Sequence, residues 1–230
     1  MDIKILGVVD MRLEKARWRA HSTDSLVKKL FAVAKSDADV EMQVLREQTE
    51  QQIKKVEESV NVLHESLVDD LTELKEQANT FCADIKSYLE EELAEIEGAV
   101  GQVGSLCVVL LDRDIKKILC SLLSRVGGVE AGDKFYQLTS QFQDEFGINF
   151  EDAPIPWEHV VELHEARNCI LHNDSVADGK FRKNVKNPIL LDGNRIDCGR
   201  KNFDHCTRVF SEFTSYVIKS VAEAKGLEKS

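Results

Sequence analysis

The first half of the chain is a long stretch without helix breakers. Neither Gly nor Pro occurs from Val8 to Glu97. Because these two residues are the usual punctuation of turns, their absence predicts helices with no sheet in this half. Capping residues divide the stretch into a first helix over about Met11–Ala20, a second ending at Val33 and a third beginning near Ser36.

The third predicted helix carries a narrow apolar stripe. Its apolar residues recur in alternating steps of three and four, as the seam of a coiled coil does. Two consecutive steps of four resemble a stutter, which locally unwinds a supercoil. Such a stripe needs a partner helix, either from a second chain or from the same chain folding back. The stripe consists of Ile53, Val56, Val60, Leu63, Leu67, Leu71, Leu74, Ala78, Phe81, Ile85 and Tyr88.

Three glycines follow the stripe at intervals of three residues, Gly98, Gly101 and Gly104. They do not form a phosphate-binding loop, because no Lys follows them and no strand precedes them. We interpret them as a hinge between two helical units. The sequence thus predicts a coiled-coil region over residues 1–100 and a second helical domain over residues 101–230.

The second domain is also predicted to be helical. Ser105 is a candidate N-cap for an apolar helix over Leu106–Val126, which the glycine pair at 127–128 would close. Asp112 and Asp114 interrupt its apolar pattern and are expected to be exposed. Further helices are expected over about Lys134–Phe146, from Trp157 after a proline-containing turn, and at the C-terminus.

The helix that begins at Trp157 carries the candidate chemistry. Arg167, Asn168 and His172 cluster at its C-terminal end. Asn168 and His172 are one turn apart and share a face, whereas Arg167 and His172 lie about 140° apart on an ideal helix. A guanidinium is a permanent forked donor suited to a phosphate, and an imidazole exchanges a proton near neutral pH. The residues suit phosphodiester binding or cleavage, although on spacing alone a structural role is equally compatible.

The motif and its setting resemble the HEPN superfamily. The sequence from Arg167 to Asn173 reads RNCILHN, which is similar to the RNxxxH signature of that family. An apolar helix with an embedded acidic residue precedes it, and a short extended stretch and a long terminal helix follow. The resemblance covers roughly residues 101–224.

The resemblance implies an all-α, HEPN-like helical bundle that forms a homodimer, with the motif helices facing each other across the two-fold axis. It further implies a metal-independent endoribonuclease without a cofactor. Members often act as toxins in prokaryotic toxin–antitoxin, abortive-infection or antiphage systems, so an antitoxin or defence-system partner protein is expected. By this resemblance His172 assists proton transfer between the RNA 2′-hydroxyl and the leaving 5′-oxygen, Arg167 stabilises the phosphorane, and Asn168 orients the phosphate or the histidine. The family's acidic residue corresponds best to Asp114, with Asp112 as the alternative.

Charge is divided unevenly along the chain. The net charge is -11, which by itself argues against nucleic acid. Residues 37–98, however, carry 18 acidic and 5 basic groups, while residues 167–208 carry 9 basic and 5 acidic groups. The basic groups Lys180, Arg182, Lys183 and Lys186 follow the motif and are candidate RNA contacts, or a solvated surface that balances acidic neighbours.

The remaining composition limits the class of protein. The longest unbroken apolar run, Leu106–Leu111, is too short to cross a bilayer, and the N-terminus does not read as a secretory signal, so we expect a cytoplasmic protein without a membrane partner. The six cysteines are scattered without a CxxC pair. We expect ordinary packing of Cys198, His205 and Cys206 rather than a metal site.

Two hypotheses from different classes follow. The first is an endoribonuclease of the HEPN type whose coiled-coil region dimerises it, senses a trigger or docks an inhibitor. The second is a non-catalytic, HEPN-like coiled-coil interaction module that binds RNA or a protein. The presence of Arg167, Asn168 and His172 together favours the enzyme.

Overall fold

The structure is a computed structural model, which describes residues 3–64 and 71–227. Helices account for about 81% of the chain, which confirms the all-α fold class. The long helices are α1 (Ile3–His64), α2 (Leu71–Leu122) and α6 (Arg200–Ala224), and the shorter ones are α3 (Phe135–Phe146), α4 (Trp157–His172) and α5 (Gly179–Asn184). A π-helical turn over Leu123–Gly127 extends α2, and a 3₁₀ turn spans Phe150–Asp152.

A small hairpin lies between α5 and α6. Strands β1 (Leu191–Asp192) and β2 (Arg195–Ile196) pair antiparallel, with Leu191 opposite Ile196. Gly193 in the two-residue turn has a φ of 57°, a backbone conformation that glycine adopts without strain. The hairpin occupies part of the short extended stretch that the sequence predicts before the terminal helix.

The helix boundaries of the second half agree with the sequence prediction. The expected helices over residues 134–146 and from Trp157 correspond to α3 and α4, and the terminal helix to α6. Gly128 closes the π turn with a φ of 79°, as its place after an apolar helix predicts.

The predicted helix ends in the first half are wrong. Residues Ile3–His64 form one helix, without the breaks expected after Ala20 and Val33. Capping residues favour a helix end but do not impose one, because the backbone continues wherever side-chain packing supports it. Likewise α2 continues through Gly98, Gly101 and Gly104 without the predicted hinge, and Ser105 lies inside it, its hydroxyl bonded to the carbonyl of Gly101.

Packing explains why a glycine lies at position 104. A Cβ atom there would lie 1.9 Å from the carbonyl oxygen of Cys198, whereas a Cβ at Gly98 or Gly101 would meet nothing within 4 Å. The glycine at 104 therefore permits close approach of two backbones rather than bending of the helix.

The chain forms two compact units. The first comprises Met1–Phe31 with Gly101–Ser230, and the second comprises Ala32–Val100. The predicted coiled-coil region of residues 1–100 includes residues 1–31, but Leu13, Ala16, Val27 and Phe31 are at most 5% exposed and belong to the core of the first unit. There α1 runs antiparallel to α2, since Thr23 contacts Asp114 and Val27 contacts Cys107.

The core of the first unit is built on helical spacing. One face of α2 presents Cys107, Leu111, Ile115, Ile118 and Leu122, each at most 1% exposed. Helices α4 and α6 pack together and bury apolar residues such as Leu163 and Phe213. At 25 cal/mol per Å², each buried leucine or isoleucine contributes about 2 kcal/mol.

The second unit has a seam with a different repeat from the predicted one. Half-buried or buried positions recur in steps of four, four and three, which is an eleven-residue repeat. On α1 they are Ala34, Ala38, Met42, Leu45, Thr49, Ile53 and Val56, and on α2 they are Ala78, Cys82, Ile85, Leu89, Leu93, Ile96 and Val100. Because both segments belong to one compact unit, the chain supplies its own partner helix, as the helical-hairpin alternative predicts.

Part of the predicted stripe lies outside this seam. Ile53, Val56, Ala78 and Ile85 are half-buried as expected, but Phe81 is 53% and Tyr88 61% exposed. The observed eleven-residue repeat orders its steps of four and three differently from the predicted stripe. Cys82 and Leu89 therefore face inward in place of Phe81 and Tyr88. The side chains of Val60, Leu63, Leu67, Leu71 and Leu74, and with them the expected stutter, lie outside the described residues.

One described helical stretch, Glu76–Gly127, includes a window long and apolar enough to cross a membrane by length and composition, and 28% of that window is buried. The core helix of a water-soluble bundle passes the same test. The absence of a membrane partner stays a prediction.

The glycine contacts predict opposite effects for two similar substitutions in α2. Gly101→Ala should stabilise the protein by up to about 1 kcal/mol, because alanine favours a helix and the added methyl meets nothing. Gly104→Ala should destabilise it by roughly 1–3 kcal/mol, because the methyl collides with the Cys198 carbonyl. Urea unfolding of both variants measures the difference, and a hinge at these glycines would instead make Gly101→Ala unfavourable.

Glu162 on α4 fixes the segment before β1. Its side chain is 1% exposed, and Oε1 accepts hydrogen bonds from the backbone N–H groups of Ile189 (2.6 Å) and Leu190 (2.7 Å). Burial raises the pKa of this carboxyl, and the two backbone hydrogen bonds partly oppose that effect.

Removal of the Glu162 acceptor should be costly. Glu162→Ala leaves two N–H groups unpaired and should lower the free energy of unfolding by roughly 3 kcal/mol, whereas Glu162→Gln keeps an oxygen acceptor and should change it by about 1 kcal/mol. Because a raised pKa means that the folded state holds the proton more firmly, wild type should lose stability relative to Glu162→Gln as pH rises from the ordinary carboxyl pKa of 4.5 through the raised pKa of the folded state. Unfolding curves at several pH values test both statements, and equal losses in the two variants would contradict the first.

Candidate functional site

Arg167 is held in place from two sides. Its Nη1 donates to Oδ1 of Asn168 at 2.9 Å, and its Nε lies 3.8 Å from Oδ2 of Asp112 on α2. The Arg167 side chain is 32% exposed, so the guanidinium is oriented by the protein yet still reachable from solvent. A guanidinium that is oriented in this way and partly exposed can bind an anion.

The acidic residue beside Arg167 is Asp112 rather than Asp114. Both carboxylates are 4% exposed, which corrects the expectation that they face solvent. Asp114 is turned toward α1, where it accepts a hydrogen bond from Thr23 and forms an ion pair with Arg19 at 3.8 Å. Two residues along a helix differ by about 200°, so only one of the two aspartates can face α4.

His164 also belongs to the site, although it lies outside the RNxxxH motif. Its Nδ1 lies 3.0 Å from Oδ1 of Asp112, and its Nε2 lies 3.5 Å from Nδ2 of Asn168. The ring stacks on Phe135 with 4.3 Å between centroids, and its side chain is 15% exposed. Positions 164 and 168 are one helical turn apart, and this spacing is the sequence signal that could have identified the histidine.

A second carboxylate, Glu165, organises the other side of Asn168. Its side chain is 1% exposed, and Oε1 accepts from the Tyr136 hydroxyl and from Asn184, both at 2.7 Å. Oε2 accepts from Asn168 at 3.3 Å and lies 3.3 Å from Nζ of Lys180. Sequence reasoning missed Glu165, Tyr136 and Asn184, because three separate helices bring them together.

The charge of Glu165 is stabilised by this environment. Burial by itself raises the pKa of the carboxyl, but three side-chain hydrogen bonds and the charge of Lys180 outweigh it and lower the pKa below its ordinary value. The same contact raises the pKa of the Tyr136 hydroxyl, with burial as the largest cause. Because a lowered carboxylate pKa stabilises the fold at neutral pH, this contribution is lost as pH falls through that pKa.

His172 lies apart from this network. It is the last residue of α4, and it is exposed. Among the described residues no polar contact joins His172 to Arg167 or Asn168, so the shared face of Asn168 and His172 does not produce a contact between them. The loop after it is fixed, since Arg195 donates to the Asp174 carbonyl at 2.8 Å and Ile196 donates to the Ser175 carbonyl at 2.6 Å. Asp174 and Ser175 have φ angles of 50° and 60°, an uncommon conformation for residues other than glycine.

The four basic candidates lie on and just after α5, and all are exposed. Two of them have partners: Lys180 pairs with Glu165, and Arg182 donates to Oδ1 of Asn194 at 2.8 Å. Lys183 and Lys186 project from the same segment. The segment is joined to the motif helix by the contacts of Lys180 and Asn184 with Glu165.

His164, Glu165, Arg167 and Asn168 of α4 thus form one connected polar site with residues of α2, α3 and α5, and His172 lies outside it. In the described parts of the chain, no group of three or more His, Cys, Asp or Glu side chains is placed to hold a metal ion. Comparison with known protein families, with curated proteins and with solved structures found no match.

Proposed function

We propose that the first unit is an endoribonuclease of the HEPN type that cleaves RNA without a metal ion. The observation that carries the proposal is Arg167: a guanidinium oriented by Asn168 and Asp112, with a third of its side chain exposed, on the helix that ends at the exposed His172. The resemblance of the RNxxxH motif supports the same activity.

In the proposed reaction an imidazole takes up one proton and gives one proton back. His172 accepts the proton of a ribose 2′-hydroxyl as its oxygen attacks the adjacent phosphorus, and Arg167 stabilises the charge on the pentavalent phosphorane. The P–O5′ bond breaks, and a protonated imidazole supplies the proton to the leaving oxygen. The products are a 2′,3′-cyclic phosphate and a 5′-hydroxyl, so no oxidant, reductant or external nucleophile is consumed.

A composite site in a homodimer fits the positions of the two residues. Arg167 and His172 lie about 140° apart around the α4 axis on an ideal helix. A phosphodiester between two α4 helices related by a two-fold axis would meet Arg167 of one protomer and His172 of the other. Leu171, which precedes His172 and is 46% exposed, would then lie at the interface.

Exposed basic groups support RNA as the substrate. Lys183 and Lys186 lie on the segment that Lys180 and Asn184 join to the motif helix, so their charge is near the proposed site. Such groups bind phosphates irrespective of base sequence and make affinity dependent on salt. The cellular role that we propose, as a toxin or defence effector with a partner protein, rests on the family resemblance.

The activity is tested with single-residue variants. We expect wild type to cleave single-stranded RNA in the presence of EDTA, and Arg167→Ala and His172→Ala each to lower the rate by about 100-fold or more, because each removes a transition-state contact. His21→Ala is the matched control, since His21 is an exposed histidine on α1. Intact RNA with wild type, or equal rates for all four proteins, would contradict the proposal, as would loss of cleavage on chelation.

The acidic second unit is expected to weaken RNA binding by charge repulsion. Residues 36–97 contribute 18 acidic and 5 basic groups, so their removal changes the net charge of the chain from -11 to +2. A deletion of residues 1–97 would not test this, because it removes Val27 and Phe31 from the core of the first unit. Replacement of residues 36–97 by a short Gly/Ser loop keeps those contacts.

We expect this loop variant to bind RNA at least about fivefold more tightly than wild type at low salt, and the difference to shrink above roughly 0.3 M salt. Filter binding measures the affinity, and circular dichroism establishes that the variant is folded. A full-length variant that combines Glu90→Gln, Glu91→Gln and Glu92→Gln removes negative charge but keeps the second unit. It therefore separates the effect of charge on RNA binding from the effect of bulk. Equal affinities of a folded loop variant and wild type at low salt would exclude the repulsion.

A non-catalytic interaction module is the second candidate function. The observation in its favour is the number of large apolar side chains that the second unit exposes, with Val33, Val40, Val44, Phe81 and Tyr88 each 45–61% exposed. Under this function, RNA ends would be the same with wild type, Arg167→Ala and His172→Ala.

A further inference from the structure

The hydrogen bonds between Asp112 and Arg167 run in one direction through His164 and Asn168. We call these four residues the positioning chain. A carboxylate can only accept hydrogen bonds and a guanidinium can only donate them, so the two ends have fixed polarity. The two residues between them must adapt to both ends.

The Asp112 end fixes the protonation of His164. Because Oδ1 of Asp112 can only accept, the Nδ1 atom 3.0 Å away must carry a hydrogen. The Arg167 end fixes Asn168 in the same way. Because Nη1 of Arg167 can only donate, the atom 2.9 Å away must be the amide oxygen of Asn168, and its amide nitrogen faces His164 and Glu165.

These two constraints meet at Nε2 of His164. The Asn168 amide nitrogen lies 3.5 Å from it and can only donate, so Nε2 must present a lone pair. All hydrogen bonds of the positioning chain can form only when His164 is neutral with its hydrogen on Nδ1. In this state Asp112 orients His164, His164 and Glu165 orient the amide of Asn168, and Asn168 orients Arg167.

A second proton on His164 disrupts the hydrogen bonds of the positioning chain. An N–H group at Nε2 would face the N–H groups of Asn168, and two donors cannot bond each other. Rotation of the Asn168 amide would relieve this contact but would place its nitrogen against Nη1 of Arg167. Without rotation, Asn168 loses its contact with His164 and its amide nitrogen is held by Glu165 alone. With rotation, Asn168 loses its hydrogen bonds to Arg167 and to Glu165. The support for the Arg167 guanidinium is weakened in both cases.

The groups packed around the His164 ring limit how it can respond to a second proton. Asp112 faces it from α2, while Phe135 stacks on the ring and Tyr136 meets it edge-on at 6.2 Å from α3. The Tyr136 hydroxyl is engaged with Glu165. The charged groups near the ring on α4 itself are Glu165 and Arg167, and Lys180 of α5 is paired with Glu165.

We propose that His164 is a positioning residue which acts as a proton-controlled switch: its neutral form orients Arg167 through Asn168, and its protonated form releases Arg167 and lowers cleavage. The consequence for cleavage rests on the proposed ribonuclease function. The state of the positioning chain does not, and it can be measured without RNA.

Two non-titrating variants separate the parts of this switch. His164→Gln extends far enough to place an acceptor oxygen near Asn168, and it should keep the rate at pH 7.5 within about threefold of wild type. His164→Asn is too short to reach Asn168, and it should lower that rate by at least about tenfold at every pH. His21→Gln, an exposed histidine outside the site, is the matched control.

The first measurement is nitrogen NMR on the full-length chain with ¹⁵N-labelled histidine. At pH 7.5 we expect His164 to show the neutral tautomer protonated at Nδ1, and its second protonation to change the Asn168 side-chain amide signals at the same pH. A neutral form protonated at Nε2, or a doubly protonated ring at pH 7.5, would overturn the proposal. So would Asn168 signals that do not respond to the titration.

The second measurement is the pH dependence of RNA cleavage. Wild type should lose activity as pH falls through the value at which NMR shows His164 protonation, and His164→Gln should lack this loss. His172 is present in both proteins, so a difference between their profiles comes from the substitution at position 164. Identical profiles for wild type and His164→Gln would refute the switch, and absence of cleavage by wild type would refute the ribonuclease function while NMR still decides the positioning chain. Thermal melts establish that each variant is folded.

Discussion

The burial of the Asp112 carboxylate is the constraint on which the candidate site depends. A carboxylate that is 4% exposed costs several kcal/mol unless it is paired, and its partners are His164 and Arg167. Both partners belong to α4, which must therefore pack against α2 with this face inward. The same contact sets the tautomer of His164 and, through Asn168, the direction of the Arg167 guanidinium.

Other buried carboxylates join the rest of the first unit in the same manner. Asp114 connects α2 to α1, Glu162 connects α4 to the segment before β1, and Glu165 connects α4 to α3 and α5. Removal of one partner from a buried charge costs about 3–5 kcal/mol. These contacts explain why the start of α1 belongs to the same compact unit as the motif helix, although the part of α1 in that unit ends at Phe31 and α4 begins only at Trp157.

The contrast between Glu162 and Glu165 shows how the donors determine the role of a buried acid. Each is 1% exposed. Glu162 receives hydrogen bonds from backbone N–H groups alone, and burial raises its pKa. Glu165 also receives three side-chain hydrogen bonds and lies beside Lys180, so its pKa is lowered and its charge is available to orient Asn168. Glu162 therefore fixes a loop, whereas Glu165 belongs to the polar network around Arg167.

Local signals predicted only those boundaries that the packing also supports. Helices α3 and α4 begin near the expected residues, because prolines and a glycine interrupt the chain between apolar faces. The capping residues at 21–24 and the glycines over 98–104 indicate a helix end and a hinge just as clearly, but both predictions are wrong. Both segments lie within long helices that pack against neighbours. The heptad stripe was also partly wrong, because a repeat of four, four and three is hard to distinguish from one with occasional stutters until burial is known.

The sequence by itself determined the helical class, the helix that carries Arg167, Asn168 and His172, and the separation of an acidic segment from a basic one. These properties follow from composition and from the 3.6-residue period, which act within a few turns of the chain. Only the tertiary structure decided that Asp112 rather than Asp114 meets Arg167, and that His164 and Glu165 orient Asn168. Those choices depend on how helices far apart in sequence are rotated against each other, and that rotation is set by the packing of the whole core.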